Sequence, residues 1–216
     1  MTITSTPPRS TALDGPHAGR RTMVTLAVIY LGFFAILMAT GADREPDADP
    51  AKLIADYDIS DTAIELITFS IVIAAAGLVF FGAALRSALV LRTRRWTADV
   101  ALLGFAFMGV TLVSWAITGL ALHHAVDIGD TKVVQAINIL DTTNFPFAAL
   151  GMTCTLIAVG VTALREQALP TWLCWASIVL GVMSPLGPLA YAPFFLFAVW
   201  TVVVATTVRL PDHETA

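Results

Sequence analysis

Long runs of apolar side chains, separated by short polar segments, divide this sequence between residues 23 and 210. A helix needs about 20 such residues to cross a hydrocarbon core that is about 30 Å thick. Of the 216 residues, 57% are hydrophobic and 13% are charged, whereas a soluble domain carries about 25% charged residues. Because so few charges cannot cover a water-exposed surface, we expect lipid to surround much of the chain.

The apolar runs predict an all-α fold, a polytopic transmembrane helix bundle with about six spans in a domain covering residues 23–210. We place the spans at 23–42, 62–85, 98–122, 145–164, 171–183 and 190–208. The last two divide one apolar region of about 40 residues, which is long enough for two crossings. Turn residues at 184–188 mark the division. A re-entrant helix followed by one span stays open, because 171–183 is short for a complete crossing.

Polar segments flank and connect the spans. Residues 1–22 are rich in Thr, Ser, Pro and Gly and predict a disordered cytoplasmic tail, and residues 211–216 predict a second, short one. The segment 23–42 also resembles a secretory signal, but its apolar stretch is longer than the usual core of about 7–15 residues. Cleavage of this segment therefore stays an alternative. Short surface helices are expected within 51–57 and 131–140, where apolar residues recur at helical spacing.

The basic residues orient the predicted bundle. If both tails lie on one side, that side holds Arg9, Arg20, Arg21, Arg86, Arg92, Arg94, Arg95, Arg165 and Arg209. The opposite side holds Arg44, Lys52 and Lys132. Since Lys and Arg accumulate in cytoplasmic loops, we expect a multi-pass protein of the bacterial plasma membrane with both termini in the cytoplasm.

The charge and the cysteines exclude two classes of function. The net charge is −4 and no basic block could neutralise a run of phosphates, so we do not expect a nucleic-acid partner. Cys154 and Cys174 lie within apolar runs, form no CxxC pair and lack a histidine at ligand spacing. We interpret them as packed thiols and expect no cofactor. Membrane lipids are the expected partners, and a homo-oligomer or another membrane partner stays open.

Two carboxyl groups are candidates for chemistry. Glu65 lies about one turn inside the second span, and an ionisable group at membrane depth indicates function by default. Asp141 precedes the fourth span. As proton donor and acceptor, the pair could serve a small membrane enzyme that acts on a lipid or an isoprenoid. In the simpler interpretation, Glu65 is solvated at the outer interface, and Asp141 and Asn144 cap the helix that begins at Phe145.

Further polar residues fall near the same outer face. His123, His124 and Asp127 follow the third span, and Asn144 begins the fourth. Adjacent histidines point in different directions on a helix, and the pair lacks the i, i+4 spacing of a helical zinc site. We therefore expect no metal site. These four residues could form a binding pocket with the two carboxyl groups. A proton-coupled transporter subunit ranks third among the hypotheses, because the inner halves of the spans offer almost no polar path.

The C-terminal half also carries a family resemblance. The runs are ILDTTNFPFAALGM, ALREQALPTWLCWASIVLGV and FFLFAVWTVVVATTVRL, with an Asp-Pro-rich first outer loop, DADPAKLIAD. In these runs the chain resembles small integral membrane proteins of actinobacteria that form a domain-of-unknown-function family. The resemblance covers most of residues 23–210 and depends on two short motifs, LDxxNF and LPxWLxW. It implies a membrane protein of this size and supplies no catalytic residue.

Overall fold

The structure, a computed structural model, describes residues 16–40, 49–57, 60–90 and 95–210. Within these ranges the chain is helical and contains no strand, which confirms the all-α prediction. A short 3₁₀ helix, Gly187–Ala190, separates the last two α-helices. The α-helices are α1 Pro16–Thr40, α2 Pro50–Tyr57, α3 Asp61–Val90, α4 Arg95–Ile128, α5 Thr131–Thr142, α6 Phe145–Glu166, α7 Thr171–Met183 and α8 Tyr191–Thr207.

Five helical stretches of the described chain are long and apolar enough to cross a membrane. They are Gly19–Ile36, Asp61–Leu89, Trp96–Ile128, Thr131–Glu166 and Gly187–Thr207. The helix α7 is shorter, but it packs antiparallel along α6, with Gly160 of α6 against Cys174 of α7. Beyond α7, Tyr191 stacks on Phe145 at the first residue of α6, with ring centroids 5.1 Å apart. The segment 171–190 therefore accompanies α6 along its length, which agrees with a bundle of about six spans.

The two ends of the bundle differ in charge. At one end the backbone N–H of Arg209 donates to the carbonyl of Ala168, 2.9 Å away, and Arg20 Nη2 donates to the carbonyl of Val208. We call this end, with Arg20, Arg86, Arg165 and Arg209, the arginine end. The opposite end is the acidic end, defined by Asp61, Asp127, Asp130 and Asp141. The prediction that Arg20, Arg86, Arg165 and Arg209 lie on one side of the bundle agrees with this arrangement.

Aromatic side chains of α8 form the centre of the core. Phe197 stacks on Trp200 with ring centroids 5.4 Å apart, and both rings lie near Phe105 of α4. One turn earlier, Phe194 contacts Phe34 of α1. The helix α8 is therefore seated against both α1 and α4. The helix α1 supplies the buried core residues Met23, Ala27, Tyr30 and Phe34.

Helices α4 and α6 approach each other closely at glycine. A Cβ atom added at Gly104 of α4 would lie 2.7 Å from the carbonyl oxygen of Gly151 in α6. Small residues at helix interfaces permit such an approach and give the backbones van der Waals contact. This contact fixes α4 against α6, and the segment between the two helices, α5, lies at the acidic end.

Several predicted bounds shift in the structure, and one of them, the end of the fourth helix, matters for the site. The first helix begins at Pro16 rather than at residue 23, and the rest of the predicted tail, 1–15, lies outside the described residues, as does 211–216. The fourth helix continues to Ile128, past the predicted end of the span at residue 122. Hydropathy ends where polar side chains begin, whereas helical hydrogen bonding continues into the interface. This extension places His123, His124 and Asp127 on α4.

Candidate functional site at the acidic end

Buried polar side chains are distributed unevenly along the bundle. In the described part of the chain, the ones other than Ser and Thr are His123, Asn138 and Asp141, and all three lie at the acidic end. Several buried hydroxyl groups return to their own helix, as Ser70 does by donating to the carbonyl of Leu66. Such hydroxyls are satisfied locally. The buried side chains that carry an imidazole, an amide or a carboxyl group therefore concentrate at one end.

The helix α5 supplies two of these residues. Asp130 is its N-cap, and the Asp130 carboxylate accepts from the backbone N–H of Lys132 at 2.9 Å. Val134, Asn138 and Asp141 form its buried face, at the i, i+4, i+7 spacing of one helical stripe. Asn138 and Asp141 thus share one face of α5. The helix therefore packs on the bundle through a partly polar face.

A small apolar cluster attaches α5 and α2 to the end of α4. Val134 of α5 packs with Leu53 of α2 and with Leu122 and Ala125 of α4, and all four side chains are buried. The opposite side of α5 exposes Ile139 and Leu140. Because these exposed side chains are apolar, they suit the region where headgroups meet acyl chains. The two short helices together cover the acidic end.

Contacts with α4 hold Asp141 in place at the end of α5. Its side chain is 3% exposed, and Thr118 Oγ1 of α4 donates a hydrogen bond to Asp141 Oδ1. Trp115 Nε1 donates to the backbone carbonyl of Asp141 over 3.2 Å. A carboxyl group fixed in apolar surroundings can hold, donate or accept a proton. The same contacts attach the end of α5 to α4.

A second polar group joins α3 to α4. His123 Nε2 lies 3.0 Å from Asp61 Oδ1, and His123 is 3% exposed whereas the Asp61 side chain is 86% exposed. Asp127 lies one turn beyond His123, and one donor atom from each of the three residues lies within 4.8 Å of the others. We call Asp61, His123 and Asp127 the histidine cluster. His124 is exposed, with its ring centroid 5.8 Å from that of His123.

The histidine cluster is what sequence reasoning missed. The adjacent pair of histidines drew attention, whereas the informative spacing was the i, i+4 step from His123 to Asp127. Residues four apart share a helix face, so this pair could have been found. The contribution of Asp61, 62 positions away, depends on how α3 packs against α4, for which no local pattern exists.

The remaining candidates lie outside these two groups. Glu65 is exposed on α3, as are the neighbouring Leu66 and Phe69, and no hydrogen bond or ion pair joins the Glu65 carboxylate to another of the described residues. Asn144 occupies the N-cap position of α6 without a side-chain capping hydrogen bond, and Pro146 lies in the first turn. The expectation that the Asn144 side chain caps this helix is therefore wrong. Its backbone is already αR, which differs from the extended geometry of a usual N-cap.

Comparison of the chain with protein-family models, curated proteins and solved structures found no match. The resemblance to an actinobacterial membrane family stays a prediction.

Proposed function

We propose that the chain is a multi-pass protein of the bacterial plasma membrane and that it works at the outer surface, through the acidic end. The observation that carries this proposal is the placement of His123, Asn138 and Asp141, the buried polar side chains other than hydroxyls in the described chain. All three lie at the end opposite the arginines. Family membership in the actinobacterial group is part of the same proposal and depends on the sequence resemblance alone.

Electrostatics supports the orientation. Arginines are retained on the cytoplasmic side during insertion, and described arginines of α1, α3, α6 and the segment after α8 share one end. Burial of a carboxyl group supports the assignment of function to the other end. The buried carboxyl group of Asp141 lies at that end, where it accepts a hydrogen bond from Thr118 Oγ1, and an ionisable group at membrane depth indicates function by default.

Two threonines give a matched test of the orientation. Thr131 is the first residue of α5 at the acidic end, and Thr171 is the first residue of α7 at the arginine end; both are exposed. We would replace Cys154 and Cys174 with serine and introduce Thr131→Cys or Thr171→Cys. A membrane-impermeant maleimide added to intact cells should label the first variant, and should label the second only after lysis. The reverse pattern would overturn the orientation.

A more specific candidate is a membrane enzyme that acts on a lipid or an isoprenoid. The observation that favours it is the pairing of Asp141 with the Thr118 hydroxyl in apolar surroundings, where proton transfer to an apolar substrate would be protected from water. Glu65, exposed on the outer turn of α3, would exchange protons with solvent or with the headgroup region. The pair acts in catalysis only if both carboxyl groups reach one substrate.

The enzyme candidate is tested by lipid composition. Lipid extracts from cells producing the unmodified chain, Asp141→Asn, Glu65→Gln or the double variant would be compared by mass spectrometry. We expect a lipid species that appears with the unmodified chain and disappears with Asp141→Asn. Asp99→Asn, a carboxyl-to-amide change at the arginine end, is the matched control and should retain the species. Identical extracts from the unmodified chain and the double variant would exclude this enzyme.

A proton-coupled transporter subunit remains the third candidate and receives the least support. A transport path needs polar or ionisable groups at several depths. In the described helices, the buried polar groups away from the acidic end are hydroxyls of Ser, Thr and Tyr30 and the indole N–H of Trp200. None of these groups carries a charge at neutral pH, so this pattern favours a site at one surface.

A further inference from the structure

The histidine cluster brings together side chains of the types that bind metal ions. Asp61 is the first residue of α3, and His123 and Asp127 occupy neighbouring turns near the end of α4. Their donor atoms lie within 4.8 Å of one another. We propose that Asp61, His123 and Asp127 bind one divalent transition-metal ion at the outer surface, with Zn²⁺ as the best match. This site is separate from the Asp141 carboxyl group and does not depend on its role.

The distances are close to those of a formed site. Tetrahedral Zn²⁺ with ligands at about 2.0–2.2 Å places neighbouring donor atoms about 3.3 Å apart. The distance between His123 Nε2 and Asp61 Oδ1 is 3.0 Å, so this pair already has the separation of two ligands on one ion. No separation among the three donor atoms exceeds 4.8 Å, so a movement of at most about 1.5 Å reaches the tetrahedral value. Both carboxylates are exposed, so their side chains can rotate without disturbing the core.

The position of His123 gives the site a rigid base. The imidazole is almost fully buried, and its chain neighbour Leu122 belongs to the apolar cluster under α2 and α5. A ligand held by packing loses little freedom when it binds an ion. Metal sites also rely on such support to orient their ligands. When an ion binds, the exposed carboxylates of Asp61 and Asp127 move toward the nitrogen of His123, which packing holds in place.

The second carboxylate distinguishes a metal site from a simple ion pair. A contact that only joins α3 to α4 needs His123 and Asp61. Asp127 adds a second anionic oxygen on the same face of α4, where the pair of carboxylates would balance a doubly charged cation. An imidazole with carboxylates suits Zn²⁺ and its neighbours, whereas Mg²⁺ and Ca²⁺ prefer oxygen ligands alone. Three protein ligands also leave one position for water, as in catalytic zinc sites.

Adjacent histidines provide a matched control for the binding experiment. The full chain would be purified in detergent with a tag that contains no histidine, treated with a chelator, and titrated with Zn²⁺ in competition with a fluorescent indicator. We expect one ion per chain. His123→Ala should weaken binding by more than about tenfold, because even outer partners of metal ligands are worth about 10–100-fold in affinity. His124→Ala should bind Zn²⁺ as the unmodified chain does.

Two further variants test the site without altering the buried histidine. Asp61→Asn and Asp127→Asn change exposed side chains, so both should fold normally and each should weaken Zn²⁺ binding by at least about tenfold. Absence of a saturable site in the unmodified chain would overturn the proposal. So would equal losses in His124→Ala and His123→Ala, or an Asp127→Asn variant that binds Zn²⁺ with unchanged affinity.

Discussion

The contact between α4 and α6 at Gly104 allows the cost of one methyl group to be worked out. A Cβ atom at Gly104 would meet Thr155 Oγ1, and it would lie 2.7 Å from both Gly151 O and Thr155 N. The last two are backbone atoms, so no side-chain rotation relieves the clash and the two helices must separate by several tenths of an ångström. Overpacking of this kind costs about 1–3 kcal/mol.

The net effect of Gly104→Ala is the balance of two terms. Alanine favours a helix over glycine by about 1 kcal/mol, whereas a clash with backbone atoms belongs at the upper end of the overpacking range. We therefore expect Gly104→Ala to lower the free energy of unfolding by about 2 kcal/mol. A second change, Thr155→Ala, should not restore stability, because it removes the hydroxyl and leaves both backbone contacts in place.

Gly119, on the same helix, is the matched control. A Cβ atom there meets nothing within 4 Å, so Gly119→Ala should leave stability unchanged or raise it by up to about 1 kcal/mol. Reversible unfolding of the purified variants by SDS in mixed micelles, followed by tryptophan fluorescence, would measure both. Equal stability of the Gly104→Ala and Gly119→Ala variants would refute the close approach of α4 to α6.

Three other substitutions test the contacts that position the acidic end and close the bundle, by the same unfolding assay. Thr118→Val leaves buried Asp141 without one donor and should cost about 1–3 kcal/mol; an unchanged midpoint would argue against the contact. Trp200→Phe removes the 2.8 Å hydrogen bond from Trp200 Nε1 to Ser177 Oγ and should cost about 0.5–1.5 kcal/mol. Asp99→Asn breaks the ion pair with Arg86, in which the Arg86 side chain is 36% exposed and the Asp99 side chain 46% exposed. The loss of unfolding free energy should therefore stay below about 1 kcal/mol and shrink in high salt. A loss that is larger, or insensitive to salt, would contradict this.

Helix positions could be predicted wherever local signals mark them. The predicted fifth span, 171–183, coincides with α7 at both ends, and α6 begins at Phe145 as predicted. Proline before or within the first turn and the Ser-Pro-Leu-Gly-Pro turn set these bounds, because such residues act on the adjacent backbone alone. The end of α4 was misplaced because a hydropathy boundary marks where the lipid ends, and a helix can continue beyond it.

The candidate site was predictable only in part. Helical spacing predicted a helix within 131–140 from Val133, Val134, Ile137 and Leu140, but Val133 and Leu140 are exposed, and the buried face consists of Val134, Asn138 and Asp141. Glu65 shows the limit of this reasoning. Near Glu65, apolar residues occur on every side of α3. Hydropathy therefore does not reveal whether the carboxyl group faces the core of the bundle or its outside. In the structure Glu65 is exposed and Asp141 is buried.

By itself, the sequence determined which stretches are apolar and long enough to cross a membrane and how the arginines are distributed between them. These properties follow from the length of apolar runs and from charge order, which are one-dimensional. Only the tertiary structure decided that His123 meets Asp61 across 62 positions and that Asp141 meets Thr118. In a membrane both the lipid-facing and the core-facing sides of a helix are apolar, so close packing, rather than hydrophobicity, selects which faces touch.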